Sequence, residues 1–121
     1  MSFHVLVVDD NEVNLMLVAK ILQMEGFETS TARCGREAIQ CVVQGHPDLI
    51  ILDINMPDLD GYTVCRRLRE PPIGARMPIV MLSATVEESD RQSALQAGAN
   101  DIISKPFDME ELRLRVRALL S

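Results

Sequence analysis

Short continuous apolar runs alternate with longer amphipathic stretches along the whole chain. The runs predict strands, and the stretches between them predict helices. We expect strands at Val5–Val8, Glu28–Thr31, Leu49–Leu52, Ile79–Leu82 and Asp101–Ile103. We expect helices at Asn11–Glu25, Gly35–Gln44, Asp60–Arg69, Glu87–Ala97 and Asp108–Leu120. This alternation predicts an α/β fold in which helices cover both faces of a doubly wound parallel sheet.

Local sequence signals support the predicted element boundaries. The first, third and fourth strands read Val-Leu-Val-Val, Leu-Ile-Ile-Leu and Ile-Val-Met-Leu, which is typical of parallel strands buried on both faces. Gly26 and Gly98 follow predicted helices and are expected to adopt left-handed caps. Asp108 is expected to cap the last helix.

Length and charge narrow the class of protein. The chain has 121 residues, which corresponds to one ordinary domain covering residues 1–121. The net charge is −6, whereas a nucleic-acid binder needs clustered positive charge. We therefore expect no direct nucleic-acid binding. The apolar run Val5–Val8 is too short for a signal peptide or a membrane span, so we expect a cytoplasmic protein without membrane insertion.

The three cysteines are Cys34, Cys41 and Cys65, an odd number without the CxxC spacing of a metal or redox motif. We interpret them as small buried hydrophobic residues in a reducing compartment. A redox sensor is the functional alternative.

Polar side chains follow four of the five predicted strands. Asp9 and Asp10 follow the first strand, Asp53 the third, Ser83 the fourth and Lys105 the fifth. The carboxyl ends of parallel strands meet at one edge of the sheet, so we expect these groups to lie close together. Neighbouring carboxylates ionise together only beside a cation, and oxygen ligands suit Mg²⁺. A carboxylate beside Mg²⁺, an ammonium and a hydroxyl is typical of phosphoryl transfer to Asp.

Four motifs together resemble the response-regulator receiver domains of two-component signal transduction, over essentially the whole chain. They are the acidic pair in Val5–Asn11, the acceptor motif Ile50–Gly61, the hydroxyl motif Met81–Ala84 and the closing motif Gly98–Phe107. The segment Asp9–Asn14 also resembles receivers attached to hybrid histidine kinases. The resemblance implies a flavodoxin-like (βα)5 fold with strand order 2-1-3-4-5.

The resemblance also implies a role for each motif residue. Asp53 would be the phosphoacceptor, and Ser83 and Lys105 would contact the phosphoryl group. Mg²⁺ or Mn²⁺ would be bound by Asp9, Asp10, Asp53 and the backbone carbonyl of Asn55. Such a domain is not an enzyme, because it catalyses only its own phosphorylation and dephosphorylation. Phosphorylation would switch the surface formed by helix four, strand five and helix five.

Three further expectations come from the same resemblance. The Lys105–Pro106 peptide is expected to be cis. Asn55 and Thr85 stand where residues tune the rate of dephosphorylation. Gly61 is expected to supply a turn conformation, with an ordinary position at the start of a helix as the alternative.

One residue departs from the family's common pattern. Receivers commonly carry Tyr or Phe three residues before the lysine, and here that position is Ile102. The usual inward rotation of an aromatic side chain therefore cannot occur, and the switch would be smaller or differently routed. A simple core isoleucine is the alternative interpretation.

The first helix suggests how a partner docks. With Val18, Ile21 and Leu22 as the buried stripe, a helical wheel places Leu15, Met16 and Ala19 at its edge or outside. These residues could dock a histidine kinase or a histidine phosphotransfer protein, although ordinary residues at a helix edge are the alternative. A dimer that depends on phosphorylation is a further expectation.

Two other classes of protein share part of this pattern. A haloacid-dehalogenase-type phosphohydrolase needs a second Asp two residues after its nucleophile, where this chain has Asn55. A flavodoxin-like cofactor binder would place phosphate beside Asp9 and Asp10, which would repel it. A single-domain regulator, a receiver of a hybrid kinase and a piece of a longer regulator are all compatible with the sequence.

Overall fold

The computed structural model describes residues 2–84, 86–105 and 108–120. Within them the strands are β1 His4–Val8, β2 Glu28–Ala32, β3 Leu49–Asp53, β4 Ile79–Ser83 and β5 Asp101–Ser104. The helices are α1 Glu12–Met24, α2 Gly35–Gly45, α3 Gly61–Arg69, α4 Glu88–Ala97 and α5 Met109–Leu120. The predicted order of strands and helices is confirmed, and each boundary differs from the prediction by at most one residue.

The strands form one parallel sheet in the order β2-β1-β3-β4-β5, which confirms the expected topology. Val8 at the end of β1 pairs with Leu52, and Asp53 at the end of β3 pairs with Leu82. Ser83 at the end of β4 pairs with Ser104. This register brings the ends of β1, β3, β4 and β5 to the same edge of the sheet.

The helices divide between the two faces of the sheet. One apolar cluster joins the sheet to α2, α3 and α4 and includes Ala38, Val64, Leu68, Ala94 and Ala97. The other cluster joins the opposite face to α1 and α5 and includes Leu15, Val18, Leu22, Leu112 and Val116. Burial of both faces explains why the inner strands are continuously apolar.

Residues at the helix ends form the caps that the sequence predicts. Gly26 and Gly98 have φ values of 91° and 103°, in the left-handed region that favours glycine. The Asp108 carboxylate accepts a hydrogen bond of 2.8 Å from the backbone N–H of Glu110. His46 ends α2 with φ 45°, an unpredicted left-handed cap at a residue that is not glycine.

Two expectations about burial were wrong. Leu15 and Ala19 of α1 are buried, and of the three proposed edge residues only Met16 is exposed, at 66%. Cys65 is buried as expected, but Cys34 and Cys41 are only partly buried and all three are free thiols. Cys34 lies at the N-cap of α2, in the short connection after β2, and not within the helix. In the described parts of the chain, no helix is long and apolar enough to cross a membrane.

Candidate functional site

Three carboxylates converge at the carboxyl edge of the sheet. Asp9 and Asp10 follow β1 and Asp53 ends β3, and each of them offers an oxygen within 4.8 Å of the others. Asp9 and Asp53 are 1% and 2% exposed, whereas Asp10 is exposed. The carboxylates lie close together because β1 and β3 are neighbouring parallel strands that end at the same edge of the sheet.

Lys105 brings a positive charge to the buried pair. Its Nζ lies 3.0 Å from Asp53 Oδ1 and 3.4 Å from Asp9 Oδ2. Its backbone N–H donates a 2.7 Å hydrogen bond to the carbonyl of Ser83, which joins the ends of β4 and β5. Ser83 is 7% exposed and directly follows Leu82, which pairs with Asp53, so the structure places the five predicted polar residues at one edge of the sheet.

Burial and charge act against each other in this pocket. Burial raises the pKa of Asp9, and nearby Asp53 raises it further, while the N–H of Asn11 and the charge of Lys105 act in the opposite direction. Burial alone would lower the pKa of Lys105, but its contacts with Asp53 and Asp9 outweigh this effect and raise it. Lys105 is therefore held as a cation between two carboxylates.

A divalent cation fits these residues. Three carboxylates and one ammonium leave two negative charges uncompensated when all four groups are ionised. The donors are carboxylate oxygens, which Mg²⁺ and Mn²⁺ accept, and the exposed Asp10 leaves the group open to solvent on one side. The acidic cluster is thus suited to a hydrated divalent cation.

The loop between β3 and α3, residues 54–60, folds back onto β3. Its base is closed by a 2.8 Å hydrogen bond from the Gly61 N–H to the Ile54 carbonyl. A Cβ at Gly61 would lie 2.8 Å from Ile54 Cα, so glycine is required by close approach rather than by a turn conformation. The exposed Asn55 donates its backbone N–H to Asp53 Oδ1 at 3.3 Å.

The tip of this loop is attached to α2, which sequence reasoning missed. The Asp58 carboxylate accepts hydrogen bonds from the backbone N–H groups of Gly35 at 2.9 Å and Arg36 at 3.0 Å. These bonds hold the pKa of Asp58 at about 2. A signal was present: Cys34 stands at the N-cap of α2, where cysteine is a poor cap and makes no side-chain hydrogen bond.

Of the remaining predicted site residues, the structure describes Ile102 but not Thr85 or Pro106. Ile102 lies on β5, is 3% exposed, and packs in the cluster that contains Ala94 and Ala97 of α4. Thr85 and Pro106 lie outside the described residues, as does the peptide that was expected to be cis.

The comparisons with known proteins agree with this geometry. Residues 5–117 match the family model of the response regulator receiver domain. The chain belongs to this family: it is a receiver domain of the two-component response regulators, which act in phosphorelay signalling as regulatory phosphoacceptors.

Curated relatives extend beyond the part that this chain matches. The response regulator PleD of Caulobacter vibrioides is 42% identical over 119 residues, which are 98% of this chain and 26% of PleD. The phosphate regulon regulatory protein PhoB of Rhizobium meliloti is 45% identical over 114 residues, 94% of this chain and 50% of PhoB. The chain thus spans about a quarter to a half of these relatives.

Solved structures match nearly from end to end. The chemotaxis protein CheY4 of Vibrio cholerae has a TM-score of 0.93 at 32% identity, covering 99% of this chain and 100% of CheY4. The receiver domain of a histidine kinase from Syntrophus aciditrophicus has a TM-score of 0.89 at 34% identity, covering 98% and 90% of the two chains.

Proposed function

We propose that this domain takes a phosphoryl group from a phosphohistidine of a histidine kinase or phosphotransfer protein onto Asp53, in a reaction that requires Mg²⁺ or Mn²⁺. One observation carries the proposal: Asp53 is buried beside two further carboxylates, with the Lys105 ammonium 3.0 Å from its Oδ1. The family's part in phosphorelay signalling supports it.

In the transfer, an Asp53 carboxylate oxygen attacks the phosphorus atom of the phosphohistidine. The new O–P bond forms as the N–P bond breaks, and the electron pair of that bond stays on the imidazole nitrogen, which takes up a proton. Lys105 and the Asn55 N–H orient Asp53 through Oδ1. When bound, the divalent cation supplies charge neutralisation to the phosphoryl oxygens. Burial of Asp53 limits access of water to the reacting carboxylate.

Labelling by a small phosphodonor tests the acceptor. Acetyl phosphate with Mg²⁺ should transfer about one phosphoryl group per chain, measured by intact mass, because a carboxylate accepts one. Asp53→Asn should remove the label. Asp48→Asn is the matched control, because Asp48 is an exposed carboxylate just before the other end of β3. Full labelling of the Asp53→Asn protein would refute the assignment.

The output side of the proposal rests on the connection between β4 and β5. Phosphorylation adds about −1.5 to −2 charge at Asp53, by analogy with other phosphorylated side chains. We propose that Ser83 and Lys105, already joined through their backbones, turn toward the new oxygens. Ile102 would transmit the change to α4, which it packs against in the same cluster. The phosphorylation-dependent dimer stays a prediction.

The exposed apolar side chains at the start of α1 support docking of the phosphodonor protein. Val13, Met16 and Leu17 are 75%, 66% and 47% exposed, and they lie within the first turns after the acidic pair. A partner helix covering them would bring its phosphohistidine toward Asp53. These residues replace the set that included Leu15 and Ala19, which are buried.

A charged residue introduced on this surface distinguishes an effect on docking of the partner protein from an effect on phosphoryl transfer itself. Met16→Glu should slow transfer from a phosphohistidine protein about tenfold, which corresponds to ~1.4 kcal/mol of lost interface, and leave acetyl phosphate labelling unchanged. Met24→Glu, on the same helix and 75% exposed, is the matched control at the far end of α1. Equal slowing with both donors would show that Met16 affects the acceptor site itself.

A further inference from the structure

The loop that carries Asn55 is attached to the rest of the protein at two points. At its base, the Gly61 N–H bonds to the Ile54 carbonyl beside the acceptor strand. At its tip, the Asp58 carboxylate bonds to two backbone N–H groups in the first turn of α2, 22 and 23 residues earlier in the chain. Asn55 lies between these two points, and its N–H bonds to Asp53.

The attachment at the tip is tightly packed as well as hydrogen-bonded. A Cβ at Gly35 would lie 2.7 Å from Leu59 Cβ and 2.7 Å from Val64 Cγ2. Leu59 directly follows Asp58 in the loop, so the backbone of α2 and the loop meet at a distance that only glycine allows. The loop therefore has little room to slide along the start of α2.

The chemistry of this contact favours an ionised carboxylate. The first N–H groups of a helix have no partner within the helix, and the helix dipole places partial positive charge there. Asp58 satisfies two of these groups, and Cys34 at the N-cap satisfies none through its side chain. The pKa of Asp58, about 2, agrees with a carboxylate that remains charged at neutral pH.

We infer that Asp58 is a positioning residue for the divalent-cation site: by fastening the loop to α2, it sets the position of Asn55 and its backbone carbonyl beside Asp53. This inference rests on the proposed function and on the family resemblance, which implies that this carbonyl binds the cation. The Asp58 side chain accepts its hydrogen bonds from the start of α2, not from the acceptor or the proposed ligands. Its effect is therefore indirect and should appear in cation affinity.

If Asp58 acts only as a helix cap, its loss should reduce stability without changing cation affinity; if it positions Asn55, cation affinity should also fall. A substitution at Cys34 can restore the cap without restoring the attachment of the loop, so it separates the two roles. Cys34→Ser places a good capping side chain at the N-cap of α2 without reconnecting the loop. The experiment compares wild type, Asp58→Ala, Cys34→Ser and the double variant Asp58→Ala/Cys34→Ser. Mn²⁺ affinity of the unphosphorylated protein is measured from the EPR signal of free Mn²⁺, and stability is measured by urea unfolding.

Asp58→Ala should weaken Mn²⁺ binding about tenfold, the size of effect typical of residues that orient metal ligands. In the double variant, Cys34→Ser should recover part of the urea midpoint and leave Mn²⁺ binding weak. Cys34→Ser alone should bind Mn²⁺ as the wild type does. If Asp58→Ala does not fold, Asp58→Asn, which keeps one acceptor oxygen, should give a smaller loss of affinity in the same direction.

Unchanged Mn²⁺ affinity in a folded Asp58 variant would overturn the inference, and so would full recovery of affinity in the double variant, which would reduce Asp58 to a helix cap. Failure of the proposed function looks different. In that case wild-type protein would bind no Mn²⁺, or Asp53→Asn would still be labelled by acetyl phosphate, whatever residue stands at position 58.

Discussion

Helices α4 and α5 both flank β5, but the protein secures them very differently. The buried residues of α4 are Ala94 and Ala97, whereas those of α5 are Leu112 and Val116. Burial of a Leu or Val side chain stabilises by about 1.5–3 kcal/mol, whereas one buried CH₂ group contributes about 0.8 kcal/mol. The apolar surface that attaches α5 to the sheet is thus considerably larger than that of α4.

Ion pairs increase the difference between the two helices. Arg113 and Arg117 of α5 both pair with Glu25 at the end of α1, and Arg115 pairs with Asp101 of β5. The described residues show no ion pair from α4 to another element. The end of α4 is held by Arg69, whose Nε donates a 3.0 Å hydrogen bond to the Gly98 carbonyl.

This difference in packing and ion pairing indicates which of the two helices should move when Asp53 is phosphorylated. A region with few buried apolar contacts opens or shifts at a lower free energy than a well-packed one. We expect phosphorylation of Asp53 to shift α4, whose buried contacts are the small side chains of Ala94 and Ala97, while α5 stays in place. The hydrogen bond from Arg69 should hold the C-terminal end of α4 during this shift. Three changes test this contrast.

The largest effect is expected under α5. Leu112→Ala should lower the free energy of unfolding by about 2–5 kcal/mol, because it leaves a cavity in a fully buried position. Urea unfolding measures the loss. Leu114→Ala is the matched control, because Leu114 is 59% exposed on the same helix and should change stability by about 0.5 kcal/mol or less. Similar losses in both variants would show that α5 is not anchored through its buried face.

A smaller effect is expected under α4. Ala94→Leu adds volume to a closely packed position and should cost about 1–3 kcal/mol. Hydrogen exchange should become faster in α4 and remain unchanged in α5, since the added side chain lifts only the helix that carries it. Acceleration in both helices would mean that they open together, and the proposed contrast would fail.

The smallest effect is expected at the ion pairs of α5. Hydrogen bonding to Arg117 is the largest cause that lowers the pKa of Glu25 below its ordinary value of 4.5. A carboxylate whose pKa is lower in the folded state than in the unfolded state stabilises the fold at pH values above its unfolded pKa. This stabilisation is lost as the pH falls through the folded-state pKa. Glu25→Gln should therefore lower the urea midpoint at pH 7, and the difference from wild type should shrink as the pH falls.

High salt should also reduce the effect of Glu25→Gln, because it screens exposed charges. Glu12→Gln is the control, since Glu12 forms a single exposed pair with Arg33 and such pairs contribute little. If Glu12→Gln lowered the urea midpoint as much as Glu25→Gln, the double pair at Glu25 would have no special role in holding α5.

Sequence reasoning succeeded where the signal was local. The strand Leu49–Leu52 and the acidic residue after it were predicted from a continuous apolar run that ends in a carboxylate. The start of the last helix was predicted from Asp108, whose side chain accepts a hydrogen bond from the backbone two residues later. These patterns depend on neighbours in the chain, so composition and spacing were sufficient.

Sequence reasoning failed where burial depends on the exact direction of a helix. Leu15 and Ala19 were expected at the edge of the buried stripe of α1 or outside it, but both are buried. A helical wheel does not contain the position of the sheet or of α5, and a small rotation moves a residue between edge and core. Cys34 and Cys41 were misjudged for a similar reason, because residue type predicts burial only on average.

By itself, the sequence determined the alternation of strands and helices, and with it the placing of Asp9, Asp10, Asp53, Ser83 and Lys105 at one sheet edge. Parallel strands that begin and end together leave few other arrangements. Only the tertiary structure decided that Asp58 fastens the loop after β3 to α2 and that α5 is held more firmly than α4. Both depend on contacts between residues far apart in the chain, which form only when the packed helices fix the distances.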